Sequence, residues 1–126
     1  MNYMPRSPAR TRNIYLAACI VAALALPNSA WASRSSDLQS KISAHIDNAV
    51  NYENQAAAAE SNGDRSGACS AYRNASSEWR EAASGYSSLQ IETLNDASLD
   101  MDSINQNAHT ALDHSSADEA AANRNC

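Results

Sequence analysis

Residues 68–89, ACSAYRNASSEWREAASGYSSL, decide the fold. Ala68, Tyr72, Ala75, Trp79, Ala82, Tyr86 and Leu89 recur there at alternating steps of four and three. That spacing gathers them into one stripe of an α-helix. Holding it for three heptads is the pattern of a helix packed lengthwise on a neighbour. The stripe then slips, because the next positions in phase are Thr93 and Asp96. A fresh stripe runs through Ala97, Met101, Ile104, Ala108 and Ala111, with Leu112 beside it. The change of phase predicts a turn at Asn95-Asp96-Ala97-Ser98.

Upstream, Leu38, Ile42, His45, Ala49, Tyr52, Ala56 and Ala59 form another stripe, widened by Ile46 and Val50. It predicts a helix from about Ser36 to Asn62, opened by the cap cluster Ser35-Ser36-Asp37. Asn62-Gly63-Asp64 ends it. Gly63 can take the left-handed conformation that closes one helix, and Asp64 can cap the next.

The cysteines test this layout independently. Residues paired across an antiparallel hairpin are symmetric about its turn, and the midpoint of Cys69 and Cys126 falls between residues 97 and 98. A Cys69–Cys126 disulfide would therefore tie the start of the second helix to the end of the third. Closing so long a loop stabilises by about 4 kcal/mol in the chain-entropy picture. The alternatives are a bond from Cys126 to another molecule, or free thiols. The fold read here is all-α: an up-down-up three-helix bundle, or a long helical hairpin with a docked third helix, carrying one disulfide.

The N-terminus sets the compartment. Arg6, Arg10 and Arg12 precede the apolar run Ile14–Leu26 (IYLAACIVAALAL), and Ala30-Trp31-Ala32 follows with the small-x-small pattern of a cleavage site. This is the layout of a secretory leader, resembling that of a Gram-negative bacterium. Residues 1–32 are accordingly expected to be cleaved, leaving 33–126 as a single α-helical domain that is periplasmic or extracellular. The run of about 13 apolar residues is short of the roughly 20 that span a bilayer. Leu16-Ala17-Ala18-Cys19 matches a lipidation pattern, but Ile20–Leu26 continues the apolar segment past the cysteine, where such segments normally stop.

After cleavage the chain contains no proline, three glycines and no phenylalanine. Rich in alanine, it favours long helices and a thin core. Losing three arginines leaves six basic against fourteen acidic residues, a net charge of −8 with histidine neutral. Such a surface repels phosphate backbones and anionic lipid, which argues against nucleic-acid and membrane-surface partners.

At the first turn, Ala57-x5-Gly63-Asp64-x3-Ala68-x3-Tyr72-x2-Ala75 resembles a single degenerate tetratricopeptide-like helical hairpin over about residues 51–78. The resemblance implies that Ala68, Tyr72 and Ala75 are packing positions, and that the chain binds protein. It departs from the family in lacking a closing proline after Ala75 and in having no second copy.

Residues that could carry chemistry are sparse. His109 with Asp113, and His114 with Asp118, are spaced i,i+4, so each pair can share a helix face. His109, Asp113 and His114 are the weak metal candidates. His45 borders the first stripe and reads as a half-buried histidine with a hydrogen-bond partner. No Gly-x-Ser-x-Gly, Ser-x-x-Lys, phosphate loop or haem-attachment motif occurs. Neither an enzyme nor a cofactor is expected. Trp79 has two readings. With the third helix along the seam it is core; with that helix elsewhere, Tyr72, Trp79 and Tyr86 form an exposed aromatic ridge fit for a partner. The sequence therefore points to a small exported helical protein, monomer or small oligomer, acting as an adaptor, inhibitor or envelope-structural module. The alternative is a small-ligand or metal carrier built on the His and Asp residues of the third helix.

Overall fold

The computed structural model describes residues 30–126, with side chains from Arg34 onward. Three helices account for most of it: α1 Ala30–Ser61, α2 Arg65–Glu92 and α3 Met101–Asn125. They run up, down and up. The leader reading falls outside the described residues, except for Ala30–Ala32, which open α1.

α2 is the middle helix, packing along both α1 and α3. Its seam follows the sequence at every step, since all seven stripe residues from Ala68 to Leu89 are buried. Ala71, Ser76, Ala83 and Glu92 are buried beside it, Ser76 against Ser115 of α3 and Glu92 against Arg34 of α1. Small residues let the helices approach closely. At Gly85 an added methyl carbon would stand 2.4 Å from Ile42 Cγ1, so α1 passes almost against the α2 backbone there.

The first turn forms as its residues dictate. Gly63 takes φ 75°, and the Asp64 amide donates back to the Ala59 carbonyl at 2.8 Å. Asp64 Oδ1 then accepts from the Gly67 amide at 2.8 Å, capping α2. The second turn spans residues 93–100, bracketing the predicted position. Asp96 organises it by accepting from the Ser98 amide at 3.0 Å, Leu99 is buried beneath it, and Asp100 caps α3 through the Asp102 amide at 3.1 Å.

Two expectations need correction. α1 is already helical at Ala30, ahead of the expected start at Ser36, because nothing in Ala30–Arg34 interrupts a helix. Ser35 is consequently buried inside the helix, and its hydroxyl donates to Asp96 Oδ2 at 3.3 Å instead of capping. In the third stripe Ala97, Met101 and Leu112 are exposed, since the helix starts only at Met101 and its inward face, though it keeps Ile104 and Ala111, is rotated from the predicted one. That face is Ile104, Asn107, Ala111, Ser115, Asp118, Ala121 and Ala122.

Cys69 and Cys126 stand at disulfide distance, with Cα atoms 5.5 Å apart. The last turn of α3 is held further by Asn125 Nδ2 donating to Glu60 Oε2 at 3.0 Å, and by Arg65 Nη2 donating to the Arg124 carbonyl at 2.7 Å. A guanidinium on a terminal carbonyl also suits the negative end of the helix dipole.

Candidate functional site

The core is two apolar clusters. One, toward the α2–α3 turn, contains Ile42, Ile46, Trp79, Tyr86, Leu89, Leu99 and Ile104. The other, toward the α1–α2 turn, is Ala56, Ala68, Ala71, Tyr72, Ala121 and Ala122. Buried polar side chains lie at the sequence positions between these clusters, and each helix contributes. From α1 comes Glu53, which accepts the Trp79 indole N–H through Oε2 at 3.0 Å. From α3 comes the half-buried His114, whose ring stacks on Trp79 with centroids 4.3 Å apart and planes 14° from parallel. One turn on, Asp118 is buried. Beside them Ser76 and Ser115 place their hydroxyls 2.9 Å apart, and Ser115 Oγ also donates to the Ser76 carbonyl at 3.1 Å.

These groups face one another rather than solvent. Trp79 is 0% exposed, Ser76 1% and Glu53 4%, so a substrate reaches none of these three while the bundle is closed. What the layer can do is fix alignment. An indole N–H satisfied by a carboxylate from another helix loses that bond if either helix slides by a turn, and an unpaired buried polar group costs about 1–3 kcal/mol. Elsewhere burial pushes the Tyr86 phenol well above its ordinary range. At the surface, His45 Nδ1 donates to Glu78 Oε1 at 2.7 Å, as a half-buried histidine with a partner should.

Tyr72, Trp79 and Tyr86 therefore form no exposed ridge; all three are buried, because α2 packs against both α1 and α3. The metal candidates are separated. His109 and Asp113 are exposed on the outer side of α3, while His114 turns inward onto Trp79. Among the described residues no group of three or more His, Cys, Asp or Glu side chains could hold a metal ion. Nor is any helix of the described residues long and apolar enough to cross a membrane.

Sequence reasoning missed Glu53, Ser76, Ser115 and Asn107 as seam residues. The signal for Glu53 was present: steps of three and four through Ile42, Ile46 and Ala49 lead straight to it.

The exposed large apolar side chains are the remaining candidates for contact with another molecule. Among the described residues these are Ile91 at 63%, Leu94 at 81%, Met101 at 40% and Leu112 at 47%. The first three lie within eleven residues around the α2–α3 turn. Asp96 and Asp100 are set among them. The hydroxyls of Ser98 and Ser103 respectively hold these two carboxyls below their ordinary range. The molecule is thus an all-α, up-down-up bundle with a cysteine pair at one end and an apolar, acidic turn at the other. No protein family, characterised protein or solved structure matches the chain.

Proposed function

We propose that the chain is an exported protein-interaction module, acting by binding another protein rather than by catalysis. The observation that carries this reading is the exposure of Ile91, Leu94 and Met101 around a single turn, while Trp79 with Glu53 and Ser76 with Ser115 are bonded to one another inside the bundle. Exposed apolar residues scattered singly are ordinary; gathered in one place they mark contact surfaces. Export is supported by the leader-like pattern of residues 1–32 and by a cysteine pair suited to an oxidising compartment. Adaptor, inhibitor and envelope-structural roles all use such a surface.

The test is cross-linking in the envelope of cells expressing the full chain, with an unrelated exported helical protein of similar charge as control. The expected result is one or a few proteins recovered at least ten-fold over the control. Recovery indistinguishable from the control ends the reading.

A further inference from the structure

We propose that the α2–α3 end of the bundle docks a segment of a partner protein that presents apolar side chains flanked by Lys or Arg; this deepens the protein-binding reading and rests on it. Ile91 and Leu94 are three residues apart, and the Leu94 amide still bonds the Ile91 carbonyl at 3.1 Å, so the two side chains leave the chain about one turn apart on the same side. Met101 opens α3 at this end of the bundle. Around them stand the exposed carboxylates of Asp100 and Asp102 and the half-buried Asp96.

The basic residue at this end, Arg34, is already engaged, with its Nε 3.3 Å from Glu92 Oε2. Ser98 and Ser103 donate hydrogen bonds to Asp96 and Asp100, which favours their ionised forms. The end therefore offers apolar contact inside a fixed negative rim.

That combination selects the occupant. An anionic membrane meets the rim with like charge. A second copy related by a two-fold axis would set each rim against itself, since such an interface matches one patch to the same patch. A basic, apolar segment satisfies both features. Three side chains make a small contact, so binding is weak and salt-sensitive, with part of its strength from exposed charges.

The test is titration of the disulfide-intact, ¹⁵N-labelled protein with three synthetic helical peptides. One carries a Leu pair at i,i+3 flanked by Lys, the second has Glu for Lys, and the third has Ser for Leu. The expected result is shift changes concentrated at residues 91–102 with the Leu–Lys peptide, at least ten-fold tighter than with the other two. Leu94→Ser should weaken that binding at least ten-fold while leaving the circular dichroism unchanged. Binding equal to the Glu peptide, or untouched by Leu94→Ser, overturns the proposal, as does a concentration-dependent dimer that Leu94→Ser abolishes. A partner cross-linked equally well by the wild type and Leu94→Ser sinks this surface but leaves the interaction reading standing. Peptide binding at 91–102 with no partner recovered from the envelope does the reverse.

Discussion

The two ends of this bundle are held by different means. Toward the α2–α3 turn the helices share Ile42, Ile46, Trp79, Tyr86, Leu89 and Ile104. Toward the α1–α2 turn the shared surface is mostly alanine, with Tyr72 as its one large side chain. Burying an Ile or Leu side chain contributes about 1.5–3 kcal/mol, whereas an alanine methyl contributes about 0.8. The alanine end compensates with specific ties. Glu60 of α1 accepts from Tyr72 Oη of α2 and from Asn125 Nδ2 of α3, each at 3.0 Å, and the Cys69–Cys126 pair lies at the same end. A disulfide closing that loop contributes about 4 kcal/mol, as much as five such methyls. Small side chains allow close approach but remove little area from water, so directional and covalent bonds must supply the difference.

Breaking the link between the two ends should have the largest effect. Trp79 bridges them, stacked on His114 and donating to Glu53. Trp79→Ala should cost about 3–5 kcal/mol for lost packing, and Glu53 would be left buried without its donor. Trp79→Phe keeps most of the ring but not the N–H, so it should cost about 1–3 kcal/mol. Urea unfolding of both variants checks the order; a Trp79→Ala loss below that of Trp79→Phe would refute the bridging role.

Reduction sharpens the contrast next. With both cysteines reduced, or in the Cys69→Ser/Cys126→Ser chain, the loss should be about 4 kcal/mol, and amide exchange should locate it. Protection should fall first in the last turns of α3 and the start of α2, and persist around Ile42, Leu89 and Ile104. Uniform loss of protection would mean that the two ends open as one unit.

The same contrast explains what the sequence made legible. Along α2 the main stripe carries only apolar residues, so counting recovered all seven of its positions, though not the flanking Ala71, Ser76, Ala83 and Glu92. The cysteine midpoint located the second turn because a hairpin is symmetric about its bend. In α1 the true seam is Ser35, Gln39, Ile42, Ile46, Ala49, Glu53 and Ala56. Counting only apolar residues rotated it toward Leu38, His45 and Tyr52, which are half-buried on the flank. Glu53 sits in the seam because Trp79, 26 residues away on another helix, donates to it. Local periodicity carries no trace of such a bond. α3 shows the same limit at Asn107, Ser115 and Asp118. The exposed turn was hidden for the opposite reason: Ile91 and Leu94 belong to no stripe, and only the helix end shows that nothing covers them.

The smallest expected effect concerns pH at the acidic turn. Asp100 accepts from Ser103 Oγ at 2.8 Å and from the Asp102 amide, and these bonds hold its carboxyl below the ordinary aspartate value in the folded chain. A folded-state pKa below the unfolded one means that the carboxylate favours folding above the unfolded value, and that this contribution disappears as pH falls through the folded value. Asp96, bonded by Ser98, follows the same direction. The urea midpoint of the parent should therefore exceed that of Asp100→Asn near pH 6, and the gap should close as pH drops well below the ordinary carboxylate range. A gap at Asp100 that is flat with pH would show that its cap works through hydrogen-bond geometry alone, and that the negative charge of this turn does not contribute to the stability of the fold.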